Sequence, residues 1–225
     1  MAFTLSQVVP WGRSFDEYVA MFNLSPQDLQ GRLLGCGDGP AAFNGELTRR
    51  GGRVISVDPL YHFDVEAICD RIQTCFDQVL EGVRQNAQEF VWDTLGSPEE
   101  LGRVRLAAMD QFLADYTAGK AAGRYLTASL PQLPFADQSF DLALCSHLLF
   151  LYSPQFDLDF HLASLRELRR VAREVRIFPL LELGSCPSRY LAPVLATLKA
   201  EGYQLQRHPV AYEFQRGGNE MLRMT

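Results

Sequence analysis

Five consecutive residues, Gly35-Cys36-Gly37-Asp38-Gly39, and an aspartate 19 positions beyond them, Asp58, have types and spacing suited to chemistry. Glycines let a backbone turn without a Cβ clash and approach a ligand closely. A helix starting directly after such a loop offers unpaired N–H groups to polar or anionic groups. A carboxylate ending the next strand can accept both hydroxyls of a ribose. Glycine loop and spaced acid together describe a nucleotide-binding site.

The elements that must position these residues are legible around them. The apolar run Leu33-Leu34 precedes the loop, and an amphipathic segment with Ala42, Phe43 and Leu47 on one side follows it. Gly51-Gly52 stops that segment, and a second apolar run (Val54, Ile55, Val57) ends in Asp58-Pro59. The order is strand, glycine loop, helix, strand, acid, which is a βαβ unit. Upstream, Ser14-Phe15-Asp16-Glu17 has capping-box spacing, and Tyr18, Val19, Met21 and Phe22 form the apolar side of a helix. Ser25-Pro26 predicts a second, short helix through Leu29. Trp11 and Arg13, in the loop ahead, read as a packed aromatic and a surface cation, with ligand contact the other possibility.

Downstream, residues 64–118 carry helical patterning where one crossover helix would suffice. Val65, Ile68, Ile72, Phe76, Val79 and Val83 recur at three- and four-residue steps, and the pattern continues to Phe90 and Val91. Ser97-Pro98-Glu99-Glu100 opens another helix, ended by Gly119. These helices form either a cap over a ligand cleft or a thicker layer on a sheet. Residues 124–128, 140–145 and 174–178 read as buried strands, and 158–170 and 188–201 as helices. Residues 203–207, 210–215 and 221–224 read as terminal strands, the last two turning at Gly217-Gly218-Asn219. The pattern predicts an α/β fold with a mostly parallel sheet and an antiparallel edge, in one domain over residues 1–225.

Composition narrows the function classes. A net charge of −6 gives no electrostatic case for nucleic acid or an anionic membrane as partner. Five cysteines without a C-x-x-C pair argue for free thiols in a reducing cytoplasm. The N-terminal residues lack the basic start and long apolar core of a signal peptide, and no run is long enough to span a membrane. Histidines and cysteines are too scattered for a metal site.

A dinucleotide fold wants G-x-G-x-x-G, whereas Gly35, Gly37 and Gly39 make G-x-G-x-G. That pattern, Asp58 after the next strand, and the later segment LPFADQSFDLALCSH (residues 133–147) resemble the class I (Rossmann-like) S-adenosylmethionine-dependent methyltransferases. The resemblance covers residues 31–61 and 123–180. It implies a seven-stranded sheet in the order 3-2-1-4-5-7-6 with the last strand antiparallel. It further implies S-adenosylmethionine as cofactor, with the loop from Gly35 through Cys36, Gly37 and Asp38 to Gly39 under its methionine part. Asp58 would hold the ribose, Pro59 and Leu60 would line the adenine, and Ser129 and Leu130 would lie near the adenine amino group. Cys145, Ser146 and His147 would end the fourth strand, facing the methyl group.

Two positions depart from the family pattern: Leu33 and Ser129 stand where it usually places acids. Asp38 either substitutes for the first or caps the following helix. Methyl transfer needs a base only if the acceptor must lose a proton, and His147 is the candidate for that role. Tyr152 can line the acceptor pocket. His62, His161 and His208 read as solvated or structural, and Cys36 as a packing residue. Glu174 and Arg176, on one face of a buried strand, need partners. The sequence thus predicts a methyltransferase acting on a small molecule. The alternative is a methyltransferase-like protein that binds the cofactor, its product or another nucleoside without transferring methyl.

Overall fold

The computed structural model describes residues 8–225. Seven strands form one sheet: β1 (Arg32–Cys36), β2 (Arg53–Val57), β3 (Tyr125–Leu126), β4 (Phe140–Ser146), β5 (Ala172–Phe178), β6 (Leu205–Pro209) and β7 (Glu220–Met224). Their spatial order is β3-β2-β1-β4-β5-β7-β6. The first five run parallel, and β7 lies antiparallel between β5 and β6. This is the α/β architecture and the strand order that the resemblance implied.

Alternation along the strands sorts the core into two faces. Leu34, Cys36, Ala143, Cys145, Val175 and Ile177 face α5 (Leu158–Val171) and α6 (Leu191–Ala200). Leu33, Val54, Leu142 and Leu144 face α1 (Phe15–Phe22) and α2 (Phe43–Arg49). The capping box of α1 is complete: Ser14 Oγ accepts from the Glu17 N–H, and Glu17 Oε2 accepts from the Ser14 N–H. Leu33 is fully buried in this second face, among aromatic side chains with no room for a charge.

The helical region resolves into two long helices, α3 (Val65–Gln85) and α4 (Pro98–Ala121). α4 packs beside α2 and β3, in the helical layer, and α3 packs on α4. Gly119 does not end α4. A Cβ there would lie 2.4 Å from the Tyr125 ring, so the glycine admits β3 against the helix. α3 ends before Phe90, which instead stacks on Phe214 with ring centroids 4.6 Å apart.

Two expected elements do not form. Ser25-Pro26 opens a turn and one 3-10 turn, Asp28–Gln30, because Ser25 and Asp28 cap one another through side chains. Residues 210–215 are not a strand of the sheet. Their backbone is drawn away from β7 by the Val91 N–H donating to the Phe214 carbonyl at 2.8 Å and by the Phe90–Gln215 bridge. The terminal hairpin is therefore β6–β7, with residues 210–219 as a long connection. Among the described residues no helix is long and apolar enough to cross a membrane.

Glu174 and Arg176 pair with each other at 2.7 Å. Arg176 also reaches Asp28 at 3.2 Å and donates to the Phe22 carbonyl at 2.8 Å, and Arg223 bonds Glu174 at 2.6 Å. This network ties α1 to β5, and none of its four charged residues lines the cavity described below. Arg176→Met leaves the Asp28 and Glu174 carboxylates short of a cation in a poorly solvated place, and it is expected to lower the unfolding free energy in urea by about 3 kcal/mol.

Candidate functional site

At the end of β1 the chain turns through Gly37 and Gly39, both left-handed (φ 68° and 54°). A Cβ on Gly37 would sit 2.6 Å from Leu148, whereas one on Gly39 would meet nothing within 4 Å. Gly39 thus presents bare backbone to open space. Gly35 has a different reason to be glycine: a Cβ there would lie 1.8 Å from a carboxylate oxygen of Asp38. It makes room for Asp38 and is itself not among the residues that line the cavity.

Asp38 folds inward instead of capping α2, which starts after Ala42 with no side-chain cap. Its Oδ1 accepts from the Tyr18 hydroxyl at 2.9 Å and its Oδ2 from the Ser56 hydroxyl at 2.6 Å. Burial pushes its pKa up to about 6; the two hydroxyls oppose the shift and the Asp58 charge adds to it. Ser56 also accepts from the Asn44 amide at 3.0 Å, which fastens α2 to β2.

Asp58 ends β2 with both carboxylate oxygens on backbone. Oδ2 accepts the Gly39 N–H at 2.9 Å and Oδ1 the Leu60 N–H at 2.8 Å. Burial raises its pKa against those two bonds. Each oxygen keeps acceptor capacity, since a carboxylate offers about four lone-pair sites. The Tyr61 hydroxyl donates to the Gly39 carbonyl at 2.8 Å, a further bond between the glycine loop and the residues around the end of β2.

A cavity of about 480 Å³ opens beside this loop, within the usual size of small-molecule sites. Cys36, Gly37, Asp38, Gly39, Asp58, Pro59, Leu60, Ser129 and Leu130 line one end of it, and Ser146, His147 and Tyr152 stand further along. Val79, Val83, Phe90, Leu151, Leu183 and Phe214 make the far wall apolar. Cys145 does not reach the cavity, because alternation turns it into the core beneath α5 while Ser146 faces the opening. Burial pushes the Cys36 and Cys145 thiols up, the latter to about 12, so neither is a thiolate near neutral pH.

His147 is held in a left-handed conformation (φ 54°) by its N–H, which donates to the Phe178 carbonyl at 2.7 Å. Its Nδ1 shares a hydrogen with the Ser146 hydroxyl at 2.8 Å. Burial, then the charges of Arg13 and Arg105, hold its pKa well below 6.5, so the ring is neutral at pH 7. His161 and His62 do not line the cavity; His161 accepts the Phe150 N–H at 3.0 Å. Arg13, expected at the surface, faces the cavity instead, and Trp11 both lines it and stacks on Phe76. Sequence patterns gave no notice of Tyr18 and Ser56 as holders of Asp38. Nor did they reveal Phe214 and Gln215 as wall residues, for both lie in the segment that reads as a strand.

The chain is similar to several known proteins. A family model described as a methyltransferase domain matches residues 97–175. The uncharacterized protein MJ0045 of Methanocaldococcus jannaschii is 31% identical over 221 residues, covering 97% of this chain and 96% of that protein. Among solved structures, the mitomycin 7-O-methyltransferase MmcR superposes with a TM-score of 0.50 at 11% identity, over 93% of this chain and 53% of that one. The magnesium protoporphyrin IX methyltransferase ChlM of Synechocystis PCC 6803, solved with bound SAM, gives 0.48 at 15% identity, over 93% of this chain and 76% of that one.

Between 3.8 and about 6 the folded protein keeps a proton on Asp38 that the unfolded chain releases. Stability contributed by this group is therefore fully present below the unfolded pKa and is lost as pH rises through the folded one. Compared with Asp38→Asn, the wild type should lose about 2 kcal/mol of unfolding free energy between pH 4 and pH 6. Urea titrations of both proteins at several pH values measure it; parallel pH profiles would show that the carboxyl is ionised in the folded state.

Proposed function

The chain belongs to the class I, Rossmann-like S-adenosylmethionine-dependent methyltransferase family, and on that premise we propose that it binds S-adenosylmethionine and methylates a small-molecule acceptor. The observation that carries the cofactor reading is the junction of Asp58 with Gly39. A carboxylate ending β2 is aimed by two backbone N–H groups beside a glycine whose missing side chain leaves open space. That arrangement suits a ribose, with Asp58 accepting its hydroxyls on the remaining lone pairs. Pro59, Leu60 and Leu130 offer apolar surface for the adenine, with Ser129 at its edge. The turn at Gly37 and Gly39 lets backbone lie against the methionine part. Asp38, ionised above about pH 6, places there the acid that Leu33 does not supply.

When bound, the cofactor supplies a methyl group on a sulfonium, which reacts by in-line displacement. The protein's part is alignment and exclusion of water. The apolar far wall holds the acceptor's body, and MmcR, of the same fold, is named for O-methylation of a small molecule. His147, kept neutral and steadied by Ser146 and the Phe178 carbonyl, is the base for an acceptor that must lose a proton. We read residues 1–225 as one domain, with α3 as its cap, and place the protein in the cytoplasm, where its free cysteines stay reduced.

Calorimetry with S-adenosylmethionine, S-adenosylhomocysteine and NAD tests the cofactor. Asp58→Ala is expected to weaken S-adenosylmethionine binding by roughly tenfold or more, and an unchanged affinity would show that the acid has another role. Label transfer from methyl-labelled cofactor into a metabolite extract distinguishes an enzyme from a binder. Once an acceptor is found, the acid limb of the rate profile should lie below pH 6.5, because His147 must be neutral to act. That limb should vanish in His147→Asn, together with most of the activity.

A further inference from the structure

We propose that Arg13 is the residue that receives a ligand's carboxylate in this cavity. Its backbone is fixed beside the glycine loop. Gly12 packs so closely on Pro40 that a Cβ would lie 2.0 Å from the Pro40 carbonyl oxygen, and the Ala42 N–H donates to the Arg13 carbonyl at 2.9 Å. The guanidinium lines the cavity and makes one internal bond, Nη1 to the Trp11 carbonyl at 2.6 Å. Its Nε is sealed from solvent without a hydrogen-bond partner.

The neighbouring acid is already committed. Glu17 takes the fully buried Arg105 at 2.6 Å, the Tyr212 hydroxyl at 3.0 Å and the Ser14 N–H at 2.9 Å. Two arginines thus lie near one carboxylate, which bonds Arg105, and among the described residues Arg13 forms no ion pair. Burial and the Arg105 charge both act against the charge on Arg13. The other groups near it, His147, Tyr18, Tyr152 and Tyr212, are neutral at pH 7. A poorly solvated cation without an anion is unfavourable, and a guanidinium fork matches a planar carboxylate. A dianionic phosphate would set its second charge near Glu17, so a monoanion is the better match.

The inference rests on the methyltransferase reading for its two sources of carboxylate: the aminocarboxylate end of the cofactor, or a carboxylate on the acceptor. Calorimetry on the full chain and its Arg13→Met and Arg13→Lys variants separates them. The probes are S-adenosylhomocysteine, 5′-methylthioadenosine (the same nucleoside thioether without the aminocarboxylate) and phenylacetate. A loss of roughly tenfold or more in Arg13→Met for S-adenosylhomocysteine alone, partly restored in Arg13→Lys, assigns the cofactor's carboxylate. A loss for phenylacetate alone assigns the acceptor's. Unchanged affinity for every carboxylate probe that the wild type binds overturns the proposal, as does an equal loss for both nucleosides. So does a wild type that binds none of the three. If the wild type binds neither nucleoside, the cofactor reading fails separately and phenylacetate alone decides for Arg13. Thermal melts add an independent readout. Removing an uncompensated cation should leave the ligand-free protein at least as stable, and a lowered melting temperature in Arg13→Met would overturn the proposal by marking a structural role.

Discussion

The carboxylate of Asp38, turned back beneath its own loop, is the constraint from which the site's geometry follows. It fits only because Gly35 has no side chain, and it is held only because Tyr18 and Ser56 each bring it a hydroxyl. Tyr18 carries α1 with it, and so the preceding segment with Trp11 and Arg13 reaches the cavity. Ser56 fixes β2, so that Asp58 emerges beside Gly39, and Asn44 binds α2 to the same point. One buried acid thereby sets the relative positions of a helix, a loop and a strand end. Packing all of this tightly leaves Asp38 poorly solvated, which is why its proton is held to about pH 6.

Charge is distributed unevenly around that hub. On the outer side, Arg176, Glu174, Asp28 and Arg223 satisfy one another and bind the helical layer to the sheet. On the inner side, Arg105 is enclosed by Glu17 and Tyr212, and Arg13 faces the cavity with no ion pair among the described residues. The first arrangement is structural, since every group in it has a partner within the fold. The second leaves Arg13 without an acid bonded to it, which is the opposite of the arrangement around Arg176.

Much of the fold was legible because its determinants are local. Apolar runs, capping residues and glycines at turns act within a few positions, and they marked the βαβ unit, the helix at Ser14 and the strands at Leu142 and Val175. The glycine loop and Asp58 were legible for the same reason. What escaped was decided by contacts distant in sequence. Residues 210–215 have strand-like composition, but their partners are Phe90 and Val91, more than a hundred positions away. Gly119 reads as a helix stop, and only the approach of Tyr125 shows it to be a spacer. Asp38 reads equally as a helix cap, and Cys145 as a residue facing the ligand, until the hydroxyls and the strand's alternation are seen in place.

The connection between β6 and β7 has a consequence for how this scaffold can vary. Residues 214–216 and 89–91 are bonded to each other, and through Gln215 to the Glu182 carbonyl, not to the sheet. Phe90 and Phe214 thus reach the cavity from two excursions clasped together, while the end at Asp58 is built from strand termini. Replacing the clasp changes which molecules fit without disturbing the sheet's register. Descendants of such a chain can exchange substrates by loop replacement and inherit the rest unaltered.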